Sequence, residues 1–249
     1  VINLDSTAAY GTNPVDLDLI PISAIDHVEV LRDGASAQYG SDAIAGVINI
    51  ILKQKDNGGS VSTQYGEYYK GDGGNLRQTL NQGLALGDSG GFFNYALDAK
   101  SVQTATRSRE ATGNLYFAGD PRNATADREV QKNGLPKIKA INLSYNAELP
   151  VNDDLTLYSF STYSKRDARG GQNYRRPNST NIIPEIYPDG TAPFYTLEET
   201  DYQAAVGGKG EIADWHWDLS STFGRDKGQA GADETLNASL GPSSPTRFD

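Results

Sequence analysis

The chain has 249 residues and a formal net charge of −10, with 22 Lys and Arg against 32 Asp and Glu. An acidic chain lacks the basic face that neutralises phosphates, so we expect no nucleic-acid partner. It contains no Cys and two His, which excludes disulfide frameworks and thiolate zinc sites and leaves no convincing nucleophile with its base. We therefore expect no enzyme activity, no catalytic residues, no bound metal and no cofactor.

Hydropathy predicts no membrane-spanning helix, but it leaves one class of membrane protein open. Mean hydropathy is −0.55, and the longest apolar stretch, 43–52, is about half of the ~20 residues that a spanning helix needs. A β-barrel faces lipid with every second residue only, so its mean hydropathy stays low. The 14 Tyr against 7 Phe favour this class, because Tyr suits membrane–water interfaces.

The sequence pattern of residues 1–55 differs from that of the rest of the chain and predicts a small α+β unit. The alternating, β-branched stretch 25–31 indicates a strand, which ends in turn residues at 32–34. Ala35–Tyr39 is compatible with a short helical turn closed by Gly40. The nearly continuous apolar run 44–52 predicts a second strand, buried on both faces.

Residues 56–249 predict antiparallel strands of about ten residues, each apolar on one face and polar on the other. Leu76, Leu80 and Leu84 share one parity, for example, while Arg77 and Asn81 take the other. Seven such segments follow one another, at 61–65, 76–86, 93–100, 141–149, 155–164, 202–212 and 215–223.

The connections between these segments favour a barrel over a sandwich. Short turns at 87–91, 151–154 and 213–214 alternate with long connections near 103–136, 166–200 and 226–249, as in outer-membrane barrels with short periplasmic turns and long external loops. A β-rich surface binding or adhesion protein, the alternative, predicts loops of unsorted length. Barrels with a plugged lumen have about 22 strands, so we expect this barrel to be incomplete at the C-terminus.

One motif identifies a family. Residues 25–53 include VEVLR at 28–32, YG at 39–40 and GVINI at 46–50, and this pattern closely resembles the end of the plug domain of TonB-dependent receptors. Two departures are mild: Asp33-Gly34 stands for the usual Gly-Pro, and Ala45 for the first Gly of the usual pair. The resemblance implies a structural role in the plug for Glu29, Arg32, Gly34, Tyr39, Gly40, Gly46 and Asn49.

The resemblance also implies a function. Such receptors sit in the bacterial outer membrane, contact its lipid and lipopolysaccharide, and import scarce nutrients when the TonB complex pulls on the plug from the periplasmic face. The segment that TonB grips is expected to be absent from this chain. We therefore expect the C-terminal part of a plug, 1–55, followed by the first strands of a 22-stranded type of barrel, 56–249.

The substrate is expected to be a small-molecule chelate, a ferric siderophore first, with cobalamin or a saccharide as alternatives. Arginines cluster with a tyrosine in the predicted second long loop, where they could hold an anionic chelate by bidentate contacts and stacking. These residues are Arg166, Arg169, Tyr174, Arg175 and Arg176. Alternatively, the cations meet lipopolysaccharide phosphates or balance the acids at 198–201.

Overall fold

A computed structural model describes residues 16–32 and 46–249. The described chain begins with two 3₁₀ turns, Leu17–Leu19 and Ile22–Ala24, which lead into strand β1, Ile25–Arg32. Strand β2, Gly46–Leu52, pairs with β1 in an antiparallel hairpin. The predicted helical turn 35–39 and the motif residues Gly34, Tyr39 and Gly40 lie outside the described residues.

The hairpin explains one glycine of the motif but differs from the prediction in its burial. Gly46 has a φ of 141°, and a Cβ there would lie 2.5 Å from the carbonyl oxygen of Leu31. Both strands were predicted correctly, whereas burial of the second on both faces was wrong, since Ile48 is 61% exposed beside the exposed Val30. Within the described residues β1 and β2 form a two-stranded sheet without a third strand to cover them.

The remaining chain forms one antiparallel meander of seven strands, confirming a mainly β fold. Each strand pairs with the strands before and after it, in the order β11-β10-β9-β8-β5-β4-β3. The strands are β3 Gly59–Gly66, β4 Asn75–Leu86, β5 Gly91–Val102, β8 Lys137–Asn152, β9 Leu155–Gly171, β10 Phe194–Ile212 and β11 Trp215–Asp233. A small hairpin, β6 Ala105–Thr106 with β7 Gly134–Leu135, lies within the first long loop.

The sheet buries its polar face and exposes its apolar face. Asp98 and Ser164 are each 1% exposed and Asn142 4%, whereas Leu219 is 75% exposed and Phe223 62%. In a water-soluble sheet the apolar face would be the buried one. Residues 16–24 pack against the buried polar face, which we call the lumen wall.

The loops sort by length as predicted, but two of them are shorter. The second long loop covers 172–193 rather than 166–200, and the third begins at 234 rather than 226. The reason is that β9, β10 and β11 extend beyond the residues in which apolar and polar side chains alternate. In these extensions charged residues such as Lys165, Arg166 and Asp167 occupy both faces. The alternation of apolar and polar residues that revealed the strands is therefore lost there.

No helix within residues 16–32 and 46–249 is long and apolar enough to cross a membrane.

The tightest turn of the sheet gives a test of local strain. Ala213 and Asp214 connect β10 to β11 with φ values of 49° and 69°, the left-handed pair that a two-residue hairpin turn needs. A side chain in this region costs about 1–2 kcal/mol. We expect A213G to raise the urea midpoint of the refolded chain by an amount equivalent to about 0.5 kcal/mol.

The matched control is A230G, the same change in the interior of β11, where φ is not positive. There the added backbone freedom should lower stability by roughly 0.5–1 kcal/mol. Equal destabilisation by both changes would contradict a strained turn at 213–214.

Candidate functional site

The segment 16–24 is held against the lumen wall by hydrogen bonds in both directions: a wall amide donates to its backbone, and one of its hydroxyls donates to a wall carbonyl. Asn142 Nδ2 on β8 donates to the Asp18 carbonyl at 2.8 Å, and Ser23 Oγ donates to the Leu80 carbonyl of β4 at 3.0 Å. Lys53 Nζ donates to the Ser23 carbonyl at 2.8 Å, and Asn146 Nδ2 to the Lys53 carbonyl at 3.2 Å. An irregular segment has backbone groups that need partners, and the inward asparagines supply them.

Two ion pairs add charge contacts between the same partners. Lys100 Nζ lies 3.0 Å from Asp18 Oδ2. Arg166 lies between Asp16, at 2.5 Å, and Glu199 of the neighbouring strand. The side chain of Glu199 is 3% exposed, so its charge depends on Arg166. Arg166 therefore lies on β9, facing inward, and not on the external loop where sequence analysis placed it.

The wall is also bonded within itself. Arg77 on β4 pairs with Asp98 on β5, Asn81 Nδ2 donates to Asn94 Oδ1 at 2.6 Å, and Ser164 Oγ donates to Asn142 Oδ1 at 2.6 Å. These bonds fix the side chains that meet the segment 16–24. Sequence analysis assigned the polar parity to a wet lumen but did not single out these residues.

An acidic pair lies beside Arg166 on the wall. Asp201 on β10 is directly opposite Asp226 on β11 in the strand register, and Asp201 is 4% exposed. Both carboxylate oxygens of Asp226 are buried without a hydrogen-bond partner.

The motif residues of the hairpin are placed as follows. Glu29 and Asn49 are cross-strand partners, and Asn49 Nδ2 donates to Glu29 Oε2 at 2.9 Å. Arg32, the last residue of β1, is exposed and lies opposite Gly46. The pairing of Glu29 with Asn49 ties the two strands of the motif together.

The long loops form an ordered cluster at one end of the sheet. Ile182 and Ile183 of the second loop pack against Leu236 of the third, all buried. Tyr116 of the first loop donates from its hydroxyl to Asp189 Oδ1 at 2.8 Å, and Arg122 lies over the Tyr116 ring at 4.1 Å from its centroid. The loops therefore position one another across the end of the sheet.

Several charges within this loop cluster are paired with one another, as Arg122 is with Asp120 and Asp189. A hydrogen bond from Arg122 lowers the pKa of Asp120 below its usual range. Burial raises the pKa of Tyr174 to about 12, and its hydroxyl donates to the Asp189 carbonyl. Tyr174 therefore stays neutral at physiological pH and acts as a hydrogen-bond donor.

Of the five predicted substrate contacts, three lie together. Tyr174, Arg175 and Arg176 share the second loop, where Arg176 donates to the carbonyls of Asn114 and Thr112 at 3.0 Å each and Arg175 donates to Thr235 Oγ1 at 3.3 Å. Arg169 lies apart on β9.

Arg169 has the outward parity of β9, opposite to that of Arg166. Its guanidinium contacts Asp233 at 2.8 Å and Glu234 at 2.8 Å, and it lies 3.4 Å from the centroid of the Phe194 ring. The predicted arginine cluster is thus divided between the lumen wall, the outer face and the loops.

Sequence analysis missed a cation-lined cavity under the first loops. It has a volume of about 520 Å³ and is lined by Lys70, Asp72, Thr106, Arg107, Ser108, Arg109, Glu129, Gln131 and Lys132. Arg107 pairs with Asp72, lowering the pKa of that carboxyl by hydrogen bonding, and its guanidinium lies 5.1 Å from the Tyr68 ring centroid. Lys70, Arg109 and Lys132 form no ion pair within 4.0 Å in the described part of the chain.

Within residues 16–32 and 46–249, no three or more His, Asp or Glu side chains are arranged to hold a metal ion.

Arg166 gives the sharpest test of the wall contacts. R166M leaves the nearly inaccessible Glu199 without its partner, and removing one member of a buried pair costs roughly 3–5 kcal/mol. We expect this loss in urea unfolding of the detergent-solubilised full-length protein. K165M changes the next residue, which is exposed on the opposite face, and should cost less than about 0.5 kcal/mol. Similar losses in both variants would contradict the inward placement of Arg166.

Comparison with known proteins agrees with the motif and the fold. The family model for the TonB-dependent Receptor Plug Domain matches residues 2–47. A vitamin B12 transporter, BtuB, from three strains of Vibrio cholerae is 36% identical over 97 residues, which are 38% of this chain. The chain spans 14% of the length of those relatives.

A solved structure shares the fold over most of the chain. The siderophore receptor PirA from Acinetobacter baumannii aligns with a TM-score of 0.57 at 21% sequence identity. The alignment covers 88% of this chain and 29% of that receptor.

Proposed function

We propose that the chain forms the end of the plug and the first barrel strands of a TonB-dependent receptor, an active transporter in the bacterial outer membrane. The match to the plug-domain family model, the vitamin B12 transporter relative and the shared fold support this proposal. The transporter imports a scarce nutrient, a ferric siderophore or similar metal chelate, with the TonB complex acting from the periplasmic face. On this proposal residues 1–55 belong to the plug and 56–249 to the barrel.

The observation that carries the proposal is the docking of residues 16–24 on a buried, polar wall. A pore occupied by the protein's own chain is not an open channel, so transport requires that the occupying segment move. Hydrogen bonds such as Ser23 to Leu80 and Asn142 to Asp18 each contribute a net ~1 kcal/mol, because water replaces them when they break. Such contacts can be broken one after another by a pulling force and re-formed afterwards.

The cation-lined cavity supports an anionic substrate. Its volume of about 520 Å³ lies within the ~300–1,000 Å³ of small-molecule sites. Lys70, Arg109 and Lys132 bring charges without an ion-pair partner in the described part of the chain, and these suit an anionic chelate. On this proposal Tyr174, Arg175 and Arg176 fix the loops around the substrate path, whereas Arg166 and Arg169 are engaged elsewhere.

Cobalamin is the second candidate. It is favoured by the 36% identity with a vitamin B12 transporter over 97 residues. Cyanocobalamin is neutral, so its binding would not depend on the charges of Lys70, Arg109 and Lys132 in the cavity. This difference separates the two candidates experimentally.

The test uses the purified full-length receptor and three probes: an Fe(III) tris-catecholate, which is anionic, an uncharged Fe(III) tris-hydroxamate, and cyanocobalamin. Quenching of protein fluorescence reports binding. We expect the tris-catecholate to bind, and K70Q/R109Q/K132Q to weaken it about tenfold, or about 1.4 kcal/mol, because partly exposed charge contacts contribute roughly 0.2–1 kcal/mol each.

The control is K137Q/K139Q/K165Q, which removes the same charge from the outer face and should leave the affinity unchanged. Binding of cyanocobalamin alone would replace the siderophore proposal by the second candidate. Binding of none of the probes, together with no uptake dependent on the proton-motive force in cells, would contradict the transporter proposal.

A further inference from the structure

The connection between β2 and β3, residues 53–58, crosses the lumen wall along one row of the sheet, and we call it the linker. In this row Gly83 on β4 is the register partner of Asn94 on β5, and Asn94 is the partner of Asn146 on β8. We call these three residues the anchor row. Neighbouring strands lie about 4.8 Å apart, so the row spans roughly 10 Å, which about three extended residues of the linker can cover.

The two asparagines of the anchor row bind carbonyl groups of the linker. Asn146 Nδ2 donates to the Lys53 carbonyl oxygen at 3.2 Å, and Asn94 Nδ2 donates to the Lys55 carbonyl oxygen at 3.4 Å. Asn94 is 3% exposed, and its own side-chain oxygen accepts from Asn81 Nδ2 at 2.6 Å. This second bond fixes the Asn94 amide with its nitrogen towards the linker.

The third member of the row, Gly83, brings the backbone of the wall against the backbone of the linker. Its N–H donates to the Gly58 carbonyl oxygen at 2.8 Å. A Cβ at Gly83 would lie 2.4 Å from the Lys55 carbonyl oxygen and 2.9 Å from the Asn57 nitrogen, so only glycine leaves room for this approach. Gly83 is buried, and a buried N–H that loses its partner cannot readily take water instead.

The linker and the segment 16–24 are therefore held by different kinds of contact. In the part of the chain that the structure describes, every hydrogen bond and ion pair from 16–24 to the sheet involves a side chain, as at Asp18 and Ser23. The linker adds the backbone bond at Gly58, which continues the ladder of β3 and β4 that begins at Gly59. Side-chain contacts can break one at a time, whereas this bond belongs to the sheet.

We propose that the anchor row keeps the linker on the wall throughout the transport cycle, while the segment 16–24 leaves the wall and returns. Lys53 is then the boundary between the fixed and the moving part. It contacts both, because its N–H donates to the Ala24 carbonyl at 2.9 Å and its Nζ to the Ser23 carbonyl at 2.8 Å. This inference rests on the proposed function, since it requires that the plug be pulled from the periplasmic face.

The first measurement tests the anchor itself, in the full-length receptor reconstituted into bilayers with a spin label on a cysteine at Asn57, an exposed residue of the linker. We expect an immobilised label in the parent protein. Its mobility should rise in N94A/N146A and, independently, in G83A, whose added Cβ displaces the linker. The control N142A removes a wall amide that holds another segment, so the label should stay immobilised there. Unchanged mobility in N94A/N146A would overturn the anchor.

The second measurement tests whether the linker stays in place during transport. The photo-cross-linking residue p-benzoylphenylalanine replaces either Lys55 or Asp18, two exposed residues whose carbonyls accept from wall asparagines. Irradiation joins that residue to the wall, and mass spectrometry identifies the strand that is joined. Uptake driven by the proton-motive force is compared before and after irradiation, so each protein is its own control. We expect cross-linking at Lys55 to leave uptake unchanged and cross-linking at Asp18 to abolish it in proportion to the cross-linked fraction.

The opposite results overturn the inference. Loss of uptake on cross-linking at Lys55 means that the linker moves, and retained uptake on cross-linking at Asp18 means that the segment 16–24 does not leave the wall. Absence of energised uptake before irradiation contradicts the proposed function, and with it the boundary at Lys53. A mobile label at Asn57 in the parent protein contradicts the anchor alone, so the two failures are distinguishable.

Discussion

The reversal of burial across the seven-stranded sheet is the constraint on which the rest of the structure depends. One face buries asparagine, serine and carboxylate side chains, and the other exposes leucine, valine and aromatic side chains. Buried polar groups require hydrogen-bond partners, and most of those on the wall find them in one another and in the segment 16–24, the carboxylate of Asp226 being an exception. The exposed apolar face is unfavourable in water, and the proposed function places it against a lipid bilayer, which suits such a face.

The contact between the segment 16–24 and the wall follows from that constraint. Besides burying Leu19 and Ala24, the wall holds its occupant with side-chain amides on backbone carbonyls and with two ion pairs. These contacts are specific in geometry, yet water can replace them. The segment therefore has a defined position but can still leave the wall. A transporter whose plug must move and return needs this property.

Sequence predicted the seven strands and the sorting of their loops, because alternation and turn residues are local signals. It missed the extensions of β9, β10 and β11, where both faces carry charge and the alternation disappears. It placed Arg166 on a loop for the same reason. The partner of Arg166, Asp16, is remote in sequence, so only the folded chain brings the two together. The cavity around Lys70 and Lys132 likewise joins two loops that no local pattern relates.

The most direct test of the account measures which face of the sheet meets lipid. The sequence has no Cys, so single cysteines can carry a spin label in the full-length receptor reconstituted into bilayers. We predict that labels at Val206, Leu219 and Phe223 are accessible to oxygen and protected from a water-soluble nickel complex. Labels at the neighbouring Ala205, Ser220 and Thr222 should show the opposite preference. Equal accessibility to the nickel complex on both faces would contradict the assignment of a lipid face and a lumen wall.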